Sequence, residues 1–162
     1  MATTYEVSEG IATLTLNRPE RLNAFNEDLV TGALKAVDEA RVDPAVKALV
    51  LTGSGRGFCA GADLAGGLAP TGEGVKAAMR DLYNPLILAI DDFPKPTIAA
   101  INGVAAGAGV GLALACDIAV AARSASFVLT FGPQLGLVPD LGVTWLRPRA
   151  IGRARARALA LL

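Results

Sequence analysis

Histidine is absent from this 162-residue chain. That absence removes Ser-His-Asp triads, Cys-His pairs, HExxH zinc sites and any imidazole general base. Proton chemistry must fall to Asp, Glu, Lys, Tyr, Cys or the backbone. Cysteine is scarce: Cys59 and Cys116 lie far apart, and neither sits in a CxxC. Both fall in small, apolar surroundings, as buried thiols do, so a metal site or a disulfide framework is not expected. The first residues lack the basic start and apolar run of a secretory signal, and the expectation is a reduced, cytoplasmic protein. Acid is missing from residues 141–162, which hold five arginines, whereas residues 1–140 hold all 15 acids and 10 bases. These arginines are interspersed with Leu and Ala at helical spacing. They read as the solvated basic face of a helix rather than as a nucleic-acid arm, with contact to a phosphorylated ligand as a third option.

What is present is apolar. Hydrophobic residues make up 52% and charged ones 19%, which excludes a disordered chain and is enough to bury one core. The length fits one domain over residues 1–162. Residues 97–116 carry no formal charge over 20 positions, enough to span a bilayer, and place Gly103, Gly107 and Gly111 at GxxxGxxxG spacing. Asn102-Gly103 is a turn signal, however, and the stretch is rich in Ala and Gly. A buried strand, a turn and a tightly packed helix are expected there, with no membrane span.

Strands and helices alternate along the chain, which indicates an α/β fold. Residues 11–17 alternate as a strand, with 5–7 as a hairpin partner across Ser8-Glu9-Gly10. Asn26 is placed to cap a helix whose apolar face holds Leu29, Ala33, Leu34, Val37 and Ala40. Residues 46–52 form a mostly apolar strand, and 53–61 a glycine-rich loop. Residues 65–74 read as a surface loop, and 75–90 as a helix bent near Pro85. Strands are expected over 97–101, 117–121 and 126–131, a helix over 107–116, a loop over 135–142 and helix from there to the end.

Two stretches put glycines around backbone amides: GFCAGADL, residues 57–64, and NGVAAGAGVG, residues 102–111. Small residues allow close backbone approach, and N–H groups at a helix start carry partial positive charge. Two such amides converging would stabilise a developing oxyanion with no charged side chain. Among the acids, Asp63 follows a glycine turn and Asp117 joins helix to strand, so both suit structural hydrogen bonds. Asp140 differs, lying in GLVPDLG with apolar residues on both sides. Burial there would raise its pKa towards that of a useful base; a cap on the following helix is the alternative.

The segments GFCAGADL, INGVAAGAGVGLALACDIAVAA and LGLVPDLGVTWLRPRAIG, with the opening LTLNRPERLNAF, together resemble the enoyl-CoA hydratase/isomerase (crotonase) superfamily over essentially the whole chain. The resemblance implies a spiral of ββα units, here without the usual C-terminal helical region, and acyl-CoA bound across its turns. It implies that the Ala62 and Ala108 amides hold the thioester oxygen, with Ala60, Asp63 and Leu64 along the CoA and Ala24 near its adenine end. The two glutamates of the family's hydratases fall on Gly111 and on about Gly132, so water addition by that route is not expected. Asp140 falls on a carboxylate position of the isomerase branches, and the run from Leu135 resembles the ring-1,2-epoxyphenylacetyl-CoA isomerase branch. The implied activity is acyl-CoA isomerisation without metal or redox cofactor, coenzyme A being part of the substrate. Alternatives are Δ3,Δ2-enoyl-CoA isomerisation, another reaction of the family, or a non-catalytic CoA-binding module. The implied assembly is a homo-oligomer, a trimer or a pair of trimers.

Overall fold

The computed structural model describes residues 1–63, 72–129, 131–132 and 136–161. Its strands divide between two sheets. The larger runs in the order β1 (Thr3–Ser8), β2 (Ile11–Leu16), β3 (Ala48–Gly53), β5 (Thr97–Ile101), β7 (Ile118–Ala121). The smaller runs β4 (Gly57–Cys59), β6 (Val104–Ala106), β8 (Ser126–Val128). From β3 onward the chain places one strand in each sheet in turn. Helical segments follow β4 and β6, and further helices follow β8. This is the expected spiral of ββα units.

The β1–β2 hairpin is antiparallel, and all later pairs are parallel. Its turn falls on Glu9 and Gly10, both with positive φ, the twist that two-residue hairpin turns require. Helix α1 (Glu27–Val42) starts where expected: the Asn26 side chain accepts from the Leu29 N–H at 3.0 Å. Leu29, Ala33, Val37 and Ala40 are buried as expected, together with Val30 and Ala36. The other end of α1 is closed by Lys95, whose ammonium donates to the Ala40 and Asp43 carbonyls at 2.9 and 2.7 Å.

Four expectations need correction. The glycine-rich loop over 53–61 contains strand β4, and the turn after Asn102 leads into strand β6. Three-residue strands bounded by glycine carry no period-2 signal, so pattern reading misses them. Residues 72–74 open a helix; the rest of the expected surface loop, 65–71, lies outside the described residues. The expected helix over 75–90 is three segments: α2 (Gly72–Ala78), a π-helical turn over Met79–Tyr83, and α3 (Asn84–Asp91). Pro85 lacks an N–H for the Asp81 carbonyl and crowds it, which accounts for the widened turn just before it. Finally, the helix at the end of the chain is broken at Gly152, φ +80, into α5 (Val143–Ile151) and α6 (Arg153–Leu161). Arg147 is not on a solvated face: it is only 6% exposed.

The uncharged stretch 97–116 divides into β5, β6 and α4 (Ala108–Ala115), most of it buried and none of it exposed. Among the described residues no helix is long and apolar enough to cross a membrane. Cys59 and Cys116 are buried free thiols, both pushed up to about 12, chiefly by burial. Asp117 makes the expected structural contact, accepting from the Thr97 N–H and hydroxyl at 2.8 Å each, although the residue itself is exposed.

Candidate functional site

Parallel neighbours β4 and β6 end at the same edge of the small sheet. The loops that follow them, one leading to Ala62 and the other to Ala108, therefore lie side by side, as loops at the carboxyl ends of parallel strands do. Gly61, with φ +91, fixes the contact: a Cβ there would stand 2.8 Å from the Ala106 carbonyl oxygen and 3.3 Å from the Ala108 nitrogen. Only glycine fits so close at that backbone angle.

Each loop turns one N–H out of the fold. Ala62 forms a parallel bridge to Phe25, in which the Phe25 N–H donates to the Gly61 carbonyl at 2.7 Å and the Asp63 N–H to the Phe25 carbonyl at 2.8 Å. In that pattern the Ala62 N–H points away from the Phe25 strand. Ala108 is the first residue of α4, set by Gly107 in a backbone conformation (φ +50, ψ −116) that suits glycine alone. The first N–H groups of a helix have no partner within it. Among the described residues, neither the Ala62 nor the Ala108 N–H meets a backbone acceptor. Two backbone donors thus lie at one sheet edge, one of them on a helix start, where partial positive charge gathers.

Asp140 approaches the same end of α4. The next residue, Leu141, is buried with its carbonyl against Gly111, where a Cβ would collide with it. Gly111 is three residues beyond Ala108 and so on the same helix face. The carboxylate is not a cap: the N-cap of α5 is Gly142, without a side-chain bond. Oδ1 of Asp140 is buried with no hydrogen-bond partner among the described residues. Burial raises the Asp140 pKa above the ordinary carboxylate value, against a weaker opposing pull from its own backbone amide.

The remaining expected residues surround Ala62. Ala24 is buried, and its carbonyl accepts from Arg18 Nη1 at 2.6 Å. The same guanidinium pairs with Asp63 at 2.8 Å, so Asp63 ties the loop after β4 to the segment before α1. The Ala60 N–H donates to the Leu22 carbonyl at 3.0 Å. Leu64 lies outside the described residues.

Three contributors escape a reading of the sequence. Asn23, wholly buried, donates to the Ser54 and Gly57 carbonyls at 2.9 and 2.8 Å and accepts from the Arg18 N–H, pinning the 18–25 segment to the start of β4. Arg18 is the second. The third is Tyr83, in the π-helical turn, stacked on Phe25 at 6.3 Å. Burial, then the negative fields of Asp140, Asp63 and Glu27, raise its pKa, so its ring lies among the site's carboxylates. The bend near Pro85 was the only signal pointing to it.

Residues 6–162 match the enoyl-CoA hydratase/isomerase family. The chain belongs to that family. Within it, 1,2-epoxyphenylacetyl-CoA isomerase of Escherichia coli is 52% identical over 159 residues, covering 96% of this chain and 60% of that protein. Trans-2-decenoyl-[acyl-carrier-protein] isomerase of Streptococcus mutans is 38% identical, over 97% of this chain and 60% of its own length. An enoyl-CoA hydratase from Bacillus anthracis superposes with a TM-score of 0.93 at 33% identity, covering 99% of this chain and 62% of that one. The chain thus spans about 60% of the length of these family members. Their names include both isomerases and a hydratase, so membership alone does not choose between the two.

Proposed function

We propose that this chain binds an acyl-CoA thioester and isomerises it, with Asp140 moving a proton. The observation that carries the reading is the buried Oδ1 of Asp140, without a hydrogen-bond partner among the described residues, next to Leu141, which packs on α4. The thioester oxygen sits between the Ala62 and Ala108 N–H groups. The Asp140 carboxylate takes a proton from an acyl carbon, and the electron pair left behind spreads onto the thioester oxygen as an enolate. The same proton returns at another carbon, so no atom is gained or lost. Charge develops on oxygen at the point where the two amides lie, which is where donors lower a barrier most. This cycle requires no metal or redox cofactor.

Isomerisation is favoured over hydration because two carboxylates are needed to position and deprotonate water. By the family resemblance the hydratase pair falls on Gly111 and on about Gly132, and a side chain at 111 would strike the Leu141 backbone. The ring-1,2-epoxyphenylacetyl thioester is the first substrate to test, given the 52% identical relative. A Δ3,Δ2 double-bond shift is the second, supported by the relative named as a decenoyl isomerase. Buried free thiols suit a cytoplasmic enzyme, and a homo-oligomer is its proposed state.

Calorimetric titration with acetyl-CoA and free CoA, followed by turnover of the ring epoxide and of octenoyl-CoA isomers in the same buffer, tests the reading. Binding with turnover supports it. Binding without turnover reduces the chain to a CoA-binding module, and absence of binding by folded protein rejects the assignment.

A further inference from the structure

A cavity of about 640 Å³ lies between the 136–139 loop, which leads into Asp140, and the facing sides of α5 and α6. Gly152 folds α6 back on α5, so positions 144, 147 and 148 of one helix look towards 153, 156, 157 and 160 of the other. Both sets follow helical spacing. Ala156, 2% exposed, gives a small floor that lets the helices approach. Three arginines line the space, Arg147, Arg153 and Arg157, and no acid does so among the described residues.

Arg147 is the anomaly. It is 6% exposed, and its Nε and Nη1 are buried without a hydrogen-bond partner among the described residues. A guanidinium stays charged at neutral pH, and a buried charge is retained only where something pairs with it. The other two arginines are exposed and add positive field at the mouth of the cavity. Among the described residues Arg147 takes part in no ion pair.

We propose that this cavity is a phosphate-binding site in which Arg147 is the buried anchor and Arg153 and Arg157 the outer clamp. Phosphate suits it better than a carboxylate because it carries close to two negative charges and enough oxygens to meet several guanidinium groups. The phosphate belongs either to a free ion or to the nucleotide end of coenzyme A. The site does not depend on the acyl-CoA isomerase reading, since inorganic phosphate alone can fill it.

Thermal unfolding in sodium phosphate against sodium chloride of equal ionic strength, with phosphorus NMR titration of inorganic phosphate, tests the site. The wild-type chain should be stabilised by phosphate, as any ligand of the native state stabilises it. Arg147→Met keeps the apolar stem and removes the charge. It should be no less stable in chloride, respond to phosphate no more than to chloride, and bind phosphate at least tenfold more weakly. Arg153→Gln/Arg157→Gln, at exposed positions, should fold normally and weaken phosphate several-fold. Parallel titration with coenzyme A identifies the source: a tenfold loss in Arg147→Met for phosphate and coenzyme A together assigns the nucleotide, and for phosphate alone the free ion. Equal phosphate responses in wild type and Arg147→Met overturn the proposal. If Arg147→Met does not fold, an unchanged phosphate response in the double variant overturns it instead.

Discussion

At the scale of the residue, Asp140 and Ala108 make separable demands. Asp140→Asn keeps the shape and removes the proposed base, so turnover should fall by about 10²–10⁴-fold while acetyl-CoA binding persists. The same variant has a stability signature. Because burial raises the folded-state pKa of Asp140, the native state holds the proton more tightly than the unfolded chain. Wild-type stability therefore falls as pH rises from the unfolded value of about 3.9 through the raised folded value. Asp140→Asn should melt higher than wild type at pH 7, with the difference vanishing below about pH 4. A melting difference independent of pH would show that Asp140 is not buried as described. The groups facing the site from the other packed elements are Tyr83, Asp63 and Glu27, and Tyr83, its own pKa raised, adds loss of stability in the same direction only in alkali. For Ala108 the variant is proline, which the first position of a helix tolerates because its N–H has no helical partner. Ala108→Pro deletes one of the two proposed oxyanion donors and should cost about 10²–10³ in kcat, some 3–4 kcal/mol of barrier, with a near-native melting temperature and intact CoA affinity.

At the scale of the element, α4 explains how much of the site was legible. Gly107, Gly109 and Gly111 were visible as a small-residue run. The structure assigns each a neighbour: Gly107 sets the entry angle, Gly109 meets the Cys59 carbonyl and Gly111 the Leu141 carbonyl. The amide loops, the lone apolar-flanked Asp140, the hairpin and the Asn26 cap all follow from local residue chemistry and could be read. β4 and β6 could not, since three residues define no period, and their pairing is a long-range event. Nor could Asn23, whose bonds run to residues some thirty positions away, or the buried state of Arg147, which depends on the fold-back at Gly152. The tight α4 contacts make a definite prediction for Gly111→Glu. This change restores a carboxylate where hydratases would carry one, yet its Cβ has no room beside Leu141. It should destabilise the fold by about 1–3 kcal/mol, as overpacking does, and lower isomerisation by moving Asp140, without creating hydration. Denaturant unfolding and a hydration assay with crotonyl-CoA check both halves.

At the scale of the whole molecule, the two sheets share an unfinished side. β7 is the last strand of the large sheet and β8 of the small one, and every residue of both is exposed. Ile118 and Val120 point to one face of β7, at 52% and 58% exposure, and Phe127 in β8 is 52% exposed. An open strand edge beside an apolar face is a template for pairing, and monomers rarely leave such a face uncovered. A second copy of this chain is the occupant we expect. It brings matching apolar side chains and no net charge to repel, since the 15 basic and 15 acidic residues balance. Covering the exposed half of Phe127 contributes about 0.8–1.5 kcal/mol. Light scattering after size exclusion should therefore give a mass of at least twice 16.5 kDa. Phe127→Asp changes an exposed side chain on the edge strand β8, so it should fold and shift that mass towards the monomer. A wild-type mass of 16.5 kDa at every concentration would mean that this face has no partner among copies of the chain.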